Sequence, residues 1–283
     1  MKRTPLLLIA LLLAGTTAGC GKEPQPQEEP SVGNAIGCFS VSATKQVELA
    51  PGNLAEDGRS FVDNQWSLGG YFGWGTGNHP SDTSVDYHDY ITFDDWGNHI
   101  EGGWRTLTYD EWHYVVYERE ASREKFAAGC IIGVKDTIDG LILLPDNWTL
   151  PDSCQFWPGM YGYERNQYSQ NQWQLMEKAG AVFLRAGGYR WGSKIYNIDH
   201  WGLTHGNYWL SSQYDEDDAY YIYFIANPEN LLPIPITNLA AGMQVRLVRD
   251  ICLFDCMSIL TAPAIQAFKH SGIKAISIHP SCI

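Results

Sequence analysis

Carboxylates, cysteines and tyrosines are the side chains of this 283-residue chain that could do chemistry, and their spacing narrows what that chemistry can be. Asp215-Glu216-Asp217-Asp218 sets four acids in a row, an oxygen-rich group of the kind Ca2+ takes. A short charged run between two apolar stretches is also the composition of a solvated hairpin tip, and that is the plainer expectation. His88 stands between Asp86 and Asp89, yet no HExxH or comparable spacing accompanies it. Cys252, Cys256, His279 and Cys282 can be drawn as a zinc set, but they fall in a tail of odd composition. Hydrolysis needs a nucleophile with its base, or a distinct pair of carboxylates. The chain has no GxSxG, and nothing among its Asp and Glu singles out a pair. Gly73, Gly75 and Gly77 lead into Asn78, His79 and Pro80, with no helix and no Lys-Ser or Lys-Thr after them, which argues against a phosphate loop. The expectation is a protein without catalytic residues and without a cofactor, Ca2+ being the one metal held open.

Recognition is better represented than catalysis, in the segment Asn207 to Asn230. From Ala219 onward Tyr220, Ile222 and Phe224 alternate with Tyr221 and Tyr223, the period of a strand. With the Phe224 side turned to a core, Tyr221 and Tyr223 stand on an open face. Beside them would lie Trp209, Tyr214, Asp215 and a loop carrying Asn227 and Asn230. Together these are the expected ligand-binding residues. Tyrosine offers broad, rigid contact area with a polar tip and asparagine offers adaptable hydrogen bonds, the mixture that paratopes use. The alternative is that the tyrosines pack beneath another loop.

The elements that must position these residues are few helices and many short strands. In TYDEWHYVVYER, Thr108 and Glu111 have the spacing of a capping box, with Trp112, Val115 and Val116 on one face. Ser169 and Gln172 repeat the device in SQNQWQLMEKAG, with Trp173 and Met176 apolar and Gly180 as the stop. Phe39 and Val41, then Val47 and Leu49, flank the polar turn at 43–45 and predict an amino-terminal hairpin. Further strands are expected over Cys130–Val134, Leu141–Leu144, Ala181–Leu184, Tyr208–Ser211, Ala219–Ala226 and Met243–Arg249, the last half-buried with Arg246 outward. Asp146 and Asn147 read as turn residues bonding to nearby backbone. Cys130, within AAGCIIGV, reads as a small buried hydrophobe, while a bridge from Cys38 or Cys154 stays open. Long Gly-rich connections among these pieces indicate the α+β class.

Targeting is written at the start. Lys2 and Arg3 precede the apolar run Leu6–Leu13, too short to span a bilayer, and Thr17-Ala18-Gly19 leads to Cys20. This is the layout of a bacterial export signal ending in a lipid-attachment cysteine. The expected organisation is a signal peptide over 1–19, a Pro/Gln/Glu-rich tether over 20–37, a folded domain over 38–250 and an atypical tail over 251–283. A formal net charge of -13 opposes nucleic-acid binding and electrostatic docking on anionic lipid. Contact with the membrane is therefore expected through the lipid anchor only, at the outer membrane or cell surface.

Five segments occur in a recognisable order: GWRTLTYDEW (Gly103–Trp112), GLILLPDNW (Gly140–Trp148), MEKAGAVFL (Met176–Leu184), GNYWLSS (Gly206–Ser212) and VRLVR (Val245–Arg249). With FSVSATKQVELAPGNL near the start, they resemble a domain repeated in Bacteroidetes surface lipoproteins. The wider likeness is to the Fibrobacter succinogenes major paralogous family, and more remotely to the formylglycine-generating-enzyme branch of the C-type-lectin-like fold. The resemblance implies one C-type-lectin-like domain with two main helices and short, mostly antiparallel strands. It also implies binding of an extracellular glycan or protein through the carboxyl-terminal part. The RGGSW-like segment of formylglycine formation is absent before the final strand and Cys252 and Cys256 fall after it, while NPEN at 227–230 only faintly echoes the EPN of calcium-dependent lectins, with no WND to follow. The readings that compete with a binder are an enzyme acting on extracellular polysaccharide and a structural component of a surface assembly.

Overall fold

Both capping boxes form, and they set the two helices. Thr108 Oγ1 accepts the Glu111 N–H at 3.2 Å while the Glu111 carboxylate accepts the Thr108 N–H at 3.1 Å, satisfying donors that a helix start leaves without partners. Helix α1 (Tyr109–His113) follows and widens into a π-helical turn over Tyr114–Glu118 that buries Val115 and Val116. Ser169 and Gln172 exchange the same pair of bonds at 3.3 and 3.0 Å, starting α2 (Gln170–Lys178), which buries Trp173 and Met176 and ends at Gly180. This computed structural model describes residues 37–133, 136–198, 202–225 and 233–251. The expected signal, Cys20, the tether up to residue 36, the tail from residue 252 on, and Asn227 and Asn230 lie outside the described residues.

Strands dominate, arranged as several small and mostly antiparallel sheets, so the class is α+β. The predicted hairpin is present as β1 (Phe39–Ser40) against β2 (Gln46–Leu49). The other edge of β2 pairs with β13 (Val248–Ile251), which also pairs with β3 (Trp104–Arg105). Arg105 reaches both Glu111, at 2.7 Å, and Asp250, at 2.6 Å, tying the α1 cap to β13. A second sheet has the order β6-β4-β5-β7, from β4 (Phe126–Ile132), β5 (Ile138–Leu143), β6 (Gln167–Ser169) and β7 (Val182–Arg185); only β4 and β6 run parallel. The strands β8 (Tyr189–Trp191) and β9 (Lys194–Tyr196) form a small hairpin. The remaining sheet joins β10 (His205–Gln213), β11 (Asp218–Ile225) and β12 (Ile236–Asn238).

Three packed clusters hold these layers. Tyr208, Leu210, Ile222 and Phe224 turn one face of β10 and β11 onto Phe39, Trp112, Val116 and Leu141. The opposite face is covered as well: Trp209 and Ala219 join Phe72, Trp74, Trp96, Leu239 and Met243. The third cluster seats Trp173 and Met176 of α2 on Ile131, Ile142 and Phe183. No helix among the described residues is long and apolar enough to cross a membrane.

Four expectations change. The stretch Met243–Arg249 is not one strand, because Met243 and Gln244 make single bridges to Phe72 and Tyr208 and the ladder begins only at Val248. That ladder runs on to Ile251, the first residue of the expected tail. Arg246 points inward and is buried; its guanidinium donates to Phe183 O at 2.7 Å, Ala50 O at 2.8 Å and Asn53 Oδ1 at 3.1 Å, which supply the acceptors burial would otherwise remove. Asp146 and Asn147 reach across the chain: Asp146 Oδ2 accepts the Ser40 N–H at 2.6 Å and Asn147 Oδ1 the Cys38 N–H at 3.4 Å. Asp146 also pairs with Arg119 at 3.2 Å and Lys125 at 3.6 Å, so it clasps β1 to the body. Cys38 is disulfide-bonded, whereas Cys130 and Cys154 are free and Cys130 is buried as expected.

Candidate functional site

The β8–β9 hairpin builds one wall of the candidate site. Its strands meet through Gly192-Ser193, a two-residue turn whose first residue has φ +55°, the sign that primed hairpin turns require. Tyr189 lies opposite Tyr196 and Trp191 opposite Lys194, so Tyr189, Trp191, Lys194 and Tyr196 share one face. The rings of Tyr189 and Tyr196 stack with centroids 5.3 Å apart and planes 17° apart, a cross-strand aromatic pair. Arg190 faces the other way and fastens the hairpin to the body. Its N–H donates to Gly242 O at 2.7 Å, the Gly242 N–H returns to Arg190 O at 2.8 Å, and the buried guanidinium donates to Gly192 O at 2.8 Å and Asp82 O at 3.2 Å. Burial pulls the Arg190 pKa down, offset in part by Tyr90 and Asp82. At the hairpin's base Gly188 has φ +70° and donates to His205 O at 2.7 Å. A Cβ there would come 2.1 Å from Tyr196 O, so the close approach requires glycine.

Tyr221 and Tyr223 on β11 stand across from this wall, and an open cleft of about 670 Å3 lies between. His205 and Asn207 of β10 lie at its base, both buried, with the Asn207 side-chain amide 2.6 Å from His205 Nδ1. Thr237, Ala241 and Met243 complete the inner surface, and Trp191, Tyr196 and Ile198 form an exposed rim. Burial pushes the Tyr221 phenol up to about 12, with Tyr223 and Tyr189 adding to the shift, so it remains a hydrogen-bond donor at any physiological pH. No Asp, Glu, Lys or Arg is among the described residues that line the cleft.

The residues picked out by sequence do not all meet here. Tyr221 and Tyr223 line the cleft. Trp209 lies beside Tyr221, ring centroids 6.4 Å apart, but is only 1% exposed and donates its indole N–H to Phe72 O at 2.7 Å. The loops around Phe72 and Leu239 cover that part of the face, so Trp209 is a core residue. Tyr214 is exposed and sits edge-on to Tyr220 at 5.5 Å, on the turn side of the β10–β11 hairpin and away from the cleft. Asp215 organises that turn: its Oδ1 accepts the N–H groups of Asp217 at 3.2 Å and Asp218 at 2.9 Å. The carboxylates of Asp215, Asp217 and Asp218 lie within 4.8 Å of one another. The neighbouring Asp215 raises the Asp217 pKa, and burial followed by Asp217 and Asp215 raises that of Asp218, as crowded like charges do.

Sequence reasoning missed Tyr189, Trp191, Tyr196 and His205. The signal was present in YRWGSKIY, where Tyr and Trp recur at strand spacing around a Gly-Ser turn. Comparison with protein-family models, with curated proteins and with solved structures finds no match.

Proposed function

We propose that this chain is an exported, lipid-anchored surface protein whose C-type-lectin-like domain binds an extracellular ligand, a glycan or a protein, in the aromatic cleft and without catalysis. The observation that carries the reading is the facing of two aromatic walls, Tyr189–Trp191–Tyr196 and Tyr221–Tyr223, across an open space of about 670 Å3. That volume is within the range of small-molecule and cofactor sites, and large, rigid, amphipathic side chains dominate recognition surfaces. Two short helices among small antiparallel sheets support the finer fold assignment. The export signal and Cys20 support the surface location.

The test applies the full-length protein and its Tyr196→Ala variant to an array of extracellular glycans and host proteins. A specific hit weakened by the variant is the expected result. Binding that ignores Tyr196→Ala, or none at all, overturns the reading. In cells fed labelled palmitate, Cys20→Ala is expected to abolish labelling of the protein, and label retained by the variant would remove the anchor.

A further inference from the structure

We infer that the cleft takes an uncharged carbohydrate and holds it without a metal ion, an assignment that rests on the cleft being the binding site. A pyranose ring has apolar C–H faces and an edge of hydroxyls, so its complement is aromatic faces with neutral hydrogen-bonding groups between them. The cleft has that composition. Tyr196 and Trp191 offer ring surface on the hairpin, 41% and 38% exposed, and phenols stand on both walls. Thr237 and Asn207 add neutral polar groups further in, beside His205. A sialic acid, uronic acid or sulfated sugar would call for a cation at the ring surface; Lys194 is exposed on the hairpin face beside the cleft, but no Lys or Arg is among the described residues that line it. The chain as a whole carries -13 and repels such ligands.

Two competing chemistries fit less well. Proline-rich peptides also dock on aromatic grooves, but they present apolar rings, whereas the cleft sets the polar groups of Asn207 and Thr237 among its aromatic ones. Calcium-mediated sugar binding needs carboxylates at the sugar. The one carboxylate triad among the described residues is at the β10–β11 turn, and no acid is among those lining the cleft.

The experiment uses full-length protein on an array that mixes neutral oligosaccharides, sialylated and sulfated oligosaccharides, proline-rich peptides and host proteins, in Ca2+ and in EDTA. Neutral oligosaccharides are expected to bind equally in both buffers. Trp191→Ala and Tyr196→Ala are expected to weaken them by about tenfold or more each, while Trp191→Phe retains most of the affinity. Hits confined to acidic sugars, or loss of binding in EDTA, overturn the inference. Cleft-dependent binding to a peptide or protein alone overturns the carbohydrate class and leaves the cleft as the binding site. Binding unmoved by Trp191→Ala and Tyr196→Ala, or absent from every probe, overturns both.

Discussion

Replacing Trp209 separates core from cleft. Trp209 is 1% exposed among Phe72, Leu239 and Met243, so Trp209→Ala removes a buried indole from a packed cluster. Such truncations cost about 3–5 kcal/mol. The lost indole bond adds no orphan, because Phe72 O still accepts the Met243 N–H at 2.9 Å; the lower half of that range, about 3–4 kcal/mol, is therefore expected. For a domain of this size each kcal/mol moves the melting temperature by about 2–4 °C, which gives a fall of about 6–16 °C. Trp209→Phe keeps a ring and loses the indole donor, for about 1–2 kcal/mol. Trp191→Ala, at the 38% exposed rim, is expected to stay within about 0.5 kcal/mol of the parent. Thermal melts followed by circular dichroism read all three, with urea midpoints as a second measure. A Trp209→Ala protein melting within about 2 °C of the parent would refute the covered face, and with it the separation of Trp209 from the ligand.

Three further outcomes follow from the same geometry. Burial pushes the Asp146 pKa up, but the Ser40 bonds, Arg119 and Lys125 together hold it below the usual carboxylate value. A depressed acid contributes stability above its unfolded pKa of about 3.9 that is lost as pH falls through the lower folded value. Urea midpoints should thus fall more steeply below about pH 4 in the parent than in Asp146→Asn, and parallel curves would contradict the clasp. Gly188→Ala is expected to push β9 off the body, since its Cβ would meet Tyr196 O at 2.1 Å; loss of hydrogen-exchange protection at the Arg190 amide reports it, and unchanged protection counts against the docking described. In native protein treated with N-ethylmaleimide, peptide mapping should find Cys154 modified well before the buried Cys130, and equal rates would show that β4 opens readily.

Local signals were legible wherever the physics is local. Each capping box is a bond between residues three apart, so Thr108–Glu111 and Ser169–Gln172 could be read directly and occur as read. Alternation placed β1, β2 and β11 because a side-chain period of two is a property of one strand. The same alternation misled at Arg246: a charged residue between two apolar ones reads as solvent-facing, but three acceptors from distant segments let it be buried. Asp146 was read as a local turn residue because its partners, Ser40 and Arg119, are remote in sequence.

The candidate site divides in the same way. Sequence alone determined the acidic charge, the α+β class and the alternating tyrosines of β11, all set by composition or by neighbours along the chain. Only the tertiary structure decided which aromatic residues meet. It covered Trp209 with the loops around Phe72 and Leu239, kept Tyr214 at a distant turn, and brought Tyr189, Trp191 and Tyr196 across from Tyr221 and Tyr223. Burial and proximity depend on contacts between segments far apart in the chain, and side-chain periodicity within one strand does not encode what packs over its face.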